Sequence, residues 1–420
     1  MRAIVVGGGI GGLTAALALH RRGIAVDVFE QSDAIRELGV GINILPPAVA
    51  ELAGLNLLDA LDAVAIRTAT LVMTNRHGQP ILSDPRGLHA GLPFPQLSIH
   101  RGRLQGVLCE ALRASAGDDV IHVDHRLEQF EQDDRRVRAR FVDRMGSRSV
   151  TVEGDVLIGA DGIRSAVRAH LLPDEGEPRW NGLTLWRGAA DWPVFADGRT
   201  MIIAGGYAGK MVVYPIGPGR TGRTRLTNWG IVARVAGPGA APPHPATYRD
   251  PWSQPGRREQ VAPHLARLYS DLVDLAGLVA ATGPIYEYPM CDRDPIERWS
   301  HGRVTLLGDA AHPMYPMGSN GATQAIIDAA CLADHLDHCT DSIEALVAYE
   351  RDRLGTTNRI VLSNRAGGPE RVIDLVEDAA PDGFATIDDV IDPAELRRIV
   401  AEYAAAGTPS RGIHWLGALH

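Results

Sequence analysis

Lysine is almost missing from this chain. Lys210 is the only one among 42 basic residues, and so strong a preference for arginine reads as a compositional habit rather than a phosphate-binding device. Cysteine is sparse as well. Cys109, Cys291, Cys331 and Cys339 form no C-x-x-C pair, which argues for reduced thiols and against a disulfide framework or a metal centre. Basic charge is in deficit: the net charge of −9 is the wrong sign for a nucleic-acid partner. No run is long and apolar enough to cross a bilayer, so no membrane partner is expected. Strand-like residues start just after Met1 and leave no room for a signal peptide. Internal repeats and low-complexity tracts are also lacking. The expectation is a soluble, cytoplasmic protein whose oligomeric state, monomer or homodimer, the sequence leaves open.

What is present is α/β punctuation at both ends. At 420 residues, 45% hydrophobic and 22% charged, the chain can hold two domains or one large interleaved one. Residues 1–30 read strand, glycine turn, helix, strand, with Gly23 closing the helix. Helices are expected over Pro46–Leu61 and Arg101–Ser115, and a strand over Ala69–Met73. "DVLIGADG" at Asp155–Gly162 is a fully buried strand. From Leu183 to Val235 the pattern turns to short β-branched and aromatic runs between glycine turns, an antiparallel signature. Gly237–Pro255 reads as a surface loop and Arg257–Ala281 as helical. Arg303–Leu307 returns as a buried strand, followed by a helix after Gly321, a long helix over Ser342–Arg365 and another begun by Asp392–Pro393. The segments divide at 1–70, 71–98, 99–182, 183–298, 299–345 and 346–420: nucleotide-binding pieces alternate with strands of a β module, and helices close the chain.

"VVGGGIGGL" carries Gly7-x-Gly9-x-x-Gly12, with Ile10 and Gly11 between, on a strand–turn–helix unit. Glycine there permits a tight turn, close backbone approach to a pyrophosphate and close helix–strand packing. The helix N-terminus offers free N–H groups to phosphates. Glu30 ends the second strand, where a carboxylate accepts from both ribose hydroxyls. Gly217-Pro-Gly219-Arg-Thr-Gly222 matches the same pattern, but it sits between two β runs with no helix after it and reads as a loop. The choice between NAD and FAD falls to "LLGDAAHPMYPMGSNGATQAIIDA" (Leu306–Ala329). Asp309 ends a buried strand and can accept from ribityl hydroxyls. Gly318, Gly321, Ala322 and Thr323 open a helix whose N–H groups and dipole suit the N1–C2=O edge of a flavin. FAD is the expected cofactor.

Gly7–Gly12, "DVLIGADGIRSAVR" (Asp155–Arg168) and "GRVTLLGDAAHPMYPMGSNG" (Gly302–Gly321) resemble, in order and spacing, the signature segments of single-component (class A) flavin monooxygenases, the p-hydroxybenzoate hydroxylase-like class. "LGVGINILPPAV", "PQLSIHRGRLQ", "LTLWRGAADW" and "YPMCDRDPIERW" are similar to its phenazine-hydroxylating members. The resemblance implies a Rossmann-like FAD-binding domain of the GR2 type, interleaved with an antiparallel β-sheet substrate domain and followed by C-terminal helices. It implies NADH or NADPH as a transient reductant and O2 as co-substrate. One oxygen atom would pass through a flavin C4a-hydroperoxide to a small, electron-rich aromatic substrate, with decarboxylation as a variant. It places Glu30 at the adenosine ribose, Gly41 near the flavin, Arg101 at the phosphate or ribityl region and Leu127 at the adenine. Asp161 and Arg168 would hold the pyrophosphate region and dock the reductant. Asp309 would take the ribityl chain, Pro316 would lie beside the flavin ring, and Ala322 and Thr323 would serve its edge. No side-chain catalyst is obligatory in this class, because the cofactor carries the hard chemistry.

For the substrate pocket the candidates are Trp186, Arg187, Met211, Tyr214 and Pro316, with Trp229 and Met290 as further walls of a flat slot. Alternation puts Met211 and Val213 on one strand face and Val212 and Tyr214 on the other, without saying which is inward. Each aromatic could equally be plain core. Arg187 could pair a substrate carboxylate or be a structural ion-pair partner. His312 reads as a packing residue rather than a base. Two other classes stay open: a flavin-dependent dehydrogenase or reductase without oxygen insertion, and a non-catalytic flavin- or ligand-binding protein.

Overall fold

The computed structural model describes residues 1–37, 39–207, 209–237, 239–240 and 254–406. The loop expected over Gly237–Pro255 lies largely outside the described residues, as does the tail beyond Ala406. A five-stranded parallel sheet forms the floor of the nucleotide-binding part. Its order is Val304–Leu306, Val156–Gly159, Arg2–Val6, Ala25–Phe29 and Ile121–His122. Chain pieces nearly 300 residues apart are therefore neighbours, and the glycine turn and the Asp309 turn leave the same edge of one sheet. The first helix, Ile10–His20, packs between Arg101–Ala116 and Asn320–His338. Enclosed in this way, it is apolar nearly all round, with Leu13, Ala16, Leu17 and Leu19 buried.

Glycine is required at two places in the first turn. Gly7 has φ +108°, a region L side chains rarely adopt. A Cβ on Gly12 would run into the Gly7 carbonyl oxygen, so the helix can follow the strand this closely only without one.

The second layer is an eight-stranded sheet in the order Pro255–Gly256, Ile285–Asp292, Arg179–Pro193, Thr224–Arg234, Gly209–Pro218, Thr200–Ala204, Thr70–Thr74 and Pro80–Pro85. The expected antiparallel sheet is in fact mixed, because Thr200–Ala204 runs parallel to Thr70–Thr74. These two strands belong to different chain segments, so no hairpin dictates their direction. The second GxGxxG match falls at the turn joining Gly209–Pro218 to Thr224–Arg234, which pair antiparallel, as expected of a loop.

Two expected helices are interrupted. Pro46–Leu61 divides into Pro46–Gly54 and Leu58–Asp62, with Asn56 at φ +53° in the break. Arg257–Ala281 divides into Arg258–Leu265 and Leu275–Ala281, and the second is capped by the Asp274 carboxylate, which accepts from Gly277 N–H. Ser342–Arg365 is one helix over the expected span. Beyond it, Arg371–Ala379 and Pro393–Ala406 fold back over the large sheet. Val372, Ile373, Val376, Leu396 and Ile399 share a core with Leu71, Met73, Met201 and Ile203. No helix among the described residues is long and apolar enough to cross a membrane.

Candidate active site

A cavity of about 1780 Å³ runs from the glycine turn to the large sheet. Drug-sized ligands occupy roughly 300 to 1,000 Å³, so the space suits a dinucleotide together with a second molecule. At its first end Gly7, Gly9, Ile10 and Gly11 line the wall, and a Cβ on Gly9 would meet nothing within 4 Å. The open space beside Gly9 is room for a phosphate. Gly12 is not in the wall; its role is the helix–strand approach described above. Glu30 faces the same space, its two oxygens accepting the Gly8 and Ser32 N–H groups at 2.8 Å each. Each oxygen keeps a further lone pair for a ligand hydroxyl. Leu127 and Arg126 line the cavity nearby.

Midway lies Asp309, enclosed by protein yet open to the cavity. Burial pushes its carboxyl above the usual carboxylate range, against the pull of His312 and Arg101. An acid in that setting is best satisfied by hydroxyl groups. Arg101 faces the cavity from the first turn of its helix. Opposite, Gly318 and Ser319 both adopt left-handed conformations, φ +62° and +61°. This double twist turns the chain into Asn320–His338, so that Gly321, Ala322 and Thr323 present the helix start to the cavity. First-turn N–H groups have no intrahelical acceptor. The Thr323 hydroxyl accepts from Leu45 N–H and donates to Ser319 O, which ties the turn to the strand Gly41–Ile44. Pro316 lies in the wall just before the twist.

Arg168 is placed differently from expectation, and Asp161 has a second role beside its place in the cavity wall. Asp161 touches the cavity, but its carboxylate accepts from the Ser165 hydroxyl and from Ala166 and Val167 N–H, so it shapes the start of Ala166–Leu171. Arg168 is buried and does not reach the cavity. Its guanidinium donates to Glu175 and to the carbonyls of Ala310 and Ala311, which makes it the support beneath the Asp309 turn.

Beneath the large sheet, alternation decides the pocket. Lys210, Val212 and Tyr214 face the cavity, with Leu185 and Arg187, Asn228, Gly230 and Val232 on the adjoining strands. Met211, Val213, Trp186, Trp229 and Ile231 point the other way, into a core closed by Val261 and Leu278. Trp186 and Met211 therefore do not line the pocket. Neither does Trp229, whose indole donates to the Thr282 hydroxyl, nor Met290, which packs with Tyr315 and Met317. Strand periodicity fixes which residues share a face, but the layers on either side choose which face is wet.

Of the pocket residues expected from the sequence, the structure keeps Tyr214, Arg187 and Pro316. Burial pushes Tyr214 up to about 12, so it stays a neutral phenol. Arg187 donates to Gly41 O and lies 5.7 Å over the Tyr288 ring, while Gly41 N–H donates to Asn228 Oδ1 at 2.8 Å. Gly41 is clamped by both its backbone groups to the sheet. His312 faces away from the cavity, its Nε2 2.6 Å from Asp328, which also accepts from Arg353.

Sequence reasoning missed three contributors: Asn228, Lys210 and the C-terminal residues Pro369, Glu370, Arg397, Val400 and Ala401, all of which line the cavity. For Lys210 a signal existed, since a lone lysine in an arginine-only chain is conspicuous. Nothing in the C-terminal segment could have announced its contact with a distant sheet.

A parallel sheet bearing a glycine turn and two cofactor-facing acids, roofed by a mixed sheet over an apolar slot, defines a flavoprotein hydroxylase. The chain belongs to the FAD binding domain family, whose model matches residues 1–363. It is 40% identical to the phenazine 1,6-dicarboxylic acid hydroxylase PhzS of Lysobacter antibioticus, over 95% of both chains. It is 32% identical to 3-hydroxybenzoate 6-hydroxylase 1 of Aquipseudomonas alcaligenes, over 86% of this chain and 87% of that one. Among solved structures it is similar to 2,6-dihydroxypyridine-3-hydroxylase from Arthrobacter nicotinovorans, with 26% identity and a TM-score of 0.69 over 87% of this chain and 91% of that one. The protein is a flavoprotein monooxygenase, and its cofactor is FAD. When bound, FAD supplies the electron transfer and oxygen activation; the chain's residues bind, orient and shield. The open space at Gly9, the free lone pairs of Glu30 and the cavity-facing carboxyl of Asp309 fit that group.

Proposed function

We propose that this enzyme hydroxylates a flat, carboxylated polycyclic aromatic of the phenazine type, with NADH or NADPH as transient reductant and O2 as the oxygen source. The observation that carries the reading is the apolar lining of the cavity beyond Asp309. Leu71, Met73, Met201, Ile203 and Val212 line it with apolar side chains, and Pro316 belongs to the same lining. A planar ring system buries both faces in such a space, and apolar walls keep water from the reacting carbon. The Lysobacter relative is named for a phenazine dicarboxylic acid, which supports a polycyclic acid over a single-ring one. Decarboxylation accompanies oxygen insertion when the carboxyl sits on the carbon that is attacked. None of the described side chains facing the slot is required as an obligatory acid or base, and His312 is committed to Asp328.

Aromatic ligands should be screened for stimulation of NADH and NADPH oxidation by the FAD-loaded enzyme, with product mass read under ¹⁸O2. Stimulation by phenazine-1-carboxylate and a product carrying one labelled oxygen are expected; a simultaneous loss of CO2 would identify the decarboxylating variant. NAD(P)H oxidation without label in any organic product would overturn the reading in favour of a reductase.

A further inference from the structure

Lys210 is the chain's single lysine, and the fold buries it in the cavity wall, 2% exposed. Its Nζ forms an ion pair with Glu370, itself 3% exposed and part of the same wall. The next neighbour is the Met317 thioether sulfur, at 2.9 Å. An ammonium carries three donors, and a thioether is a weak acceptor. One carboxylate therefore leaves donor capacity unmet in a group that water barely reaches, a costly condition unless a further oxygen arrives. Burial pushes Lys210 down to about 7, with Asp374 pulling it back up. Asp374 is itself engaged by Tyr207 N–H, and burial holds its carboxyl above the usual range. Two other cations in this wall have partners of their own: Arg187 donates to Gly41 O and lies over Tyr288, and Arg86 donates to Asp84 and Gln96.

Three parts of the chain converge on this ammonium. Lys210 comes from the substrate sheet, Met317 from the turn that opens Asn320–His338, and Glu370 from the turn between Ser342–Arg365 and Arg371–Ala379. The group thus stands where the apolar slot meets the cofactor-facing turn.

We propose that Lys210 is the subsite for an anionic oxygen on the aromatic substrate, a ring carboxylate or a ring phenolate, and that Glu370 is the internal counter-ion competing for the same ammonium. The proposal rests on the aromatic-substrate reading above and adds the residue that selects its charge. With the slot empty, Glu370 is the ion-pair partner of Lys210. A ligand oxygen that enters takes the donors facing the thioether and shares the ammonium with Glu370. Removing Glu370's charge therefore strengthens binding of an anionic ligand, and removing Lys210's charge weakens it.

Dissociation constants of the oxidised, FAD-loaded enzyme for phenazine-1-carboxylate, 1-hydroxyphenazine and unsubstituted phenazine, measured by calorimetry, test this without relying on turnover. For Lys210→Met, at least tenfold weaker binding of the carboxylate or of the hydroxyl ligand is expected, with phenazine within twofold of the parent. Whichever substituted ligand responds identifies the source of the oxygen. For Glu370→Gln, severalfold tighter binding of that same ligand is expected. The double variant Lys210→Met/Glu370→Gln removes both charges of the ion pair together and guards against simple misfolding; it should bind phenazine like the parent and lack the preference for the anion. If the ratio of anionic to neutral ligand affinity stays within twofold across all three variants, or if both single variants lose affinity alike as for a structural ion pair, the proposal is overturned. Failure of the hydroxylase reading would show instead as missing ¹⁸O incorporation, whatever the binding ratio.

Discussion

Two acids, one at the first end of the cavity and one midway along it, do comparable work by different means. Glu30 holds its carboxylate still with two backbone N–H groups and turns the remaining lone pairs outward. Asp309 is enclosed, and its carboxyl lies above the usual range. Substituting Asp309→Ala should cut FAD retention at least tenfold, read as flavin absorbance after gel filtration, because buried hydroxyls then lose their acceptor. Glu30→Gln should weaken FAD less, since the amide keeps one acceptor oxygen. Asp328 offers a test of stability instead. Burial alone would raise its carboxyl, but His312 and Arg353 outweigh burial and hold it below the usual carboxylate range. A lowered folded pKa contributes stability above the unfolded value, ~3.9, that is lost as pH falls through the folded one. Asp328→Asn leaves Arg353 buried against an uncharged partner and should cost about 3 to 5 kcal/mol at neutral pH. The Tm gap to the parent should be full at pH 7 and narrow below pH ~4. At this scale the glycines, Glu30 and Asp309 were legible because the motif itself specifies the chemistry. Arg168 was not: its residue type suits a ligand, and only its neighbours reveal a support.

The strands of the large sheet turn alternation into function. Met211 and Val212 are adjacent in sequence, yet one is sealed in a core with Trp186 and Trp229 while the other lines the slot. Met211→Ala should therefore lower stability by about 2 to 5 kcal/mol through the cavity it leaves, with little change in aromatic-ligand affinity. Val212→Trp should do the reverse, filling the slot and weakening ligand binding at least tenfold with only a small change in Tm. Thermal melts and ligand calorimetry on the two variants separate the effects; similar behaviour of both would contradict the assignment of faces. Helices were legible to within a few residues where caps and periodicity agreed, as for Ser342–Arg365, whose N-cap Asp341 accepts from Ile343 and Glu344 N–H. The breaks near Asn56 and Asp274 escaped notice because apolar periodicity resumes on each side of them.

Across the whole molecule, one cavity is lined by chain segments nearly 300 residues apart. FAD should accordingly act as a folding ligand: at about 100 times its Kd it should add about 2.7 kcal/mol. The rise in Tm on reconstitution should shrink in both Asp309→Ala and Glu30→Gln, although the two residues lie in different halves of the sequence. The parts of the candidate cofactor site could be read from the sequence because each is local: a strand, a turn whose backbone needs glycine, a helix start, and an acid just past the end of a strand. Tertiary structure alone decided which sheet face meets the slot, that Gly41 is clamped between Arg187 and Asn228, and that the last helices supply the far wall. Those choices depend on which layers come to lie above and below a strand, a long-range packing outcome that no window of neighbouring residues contains.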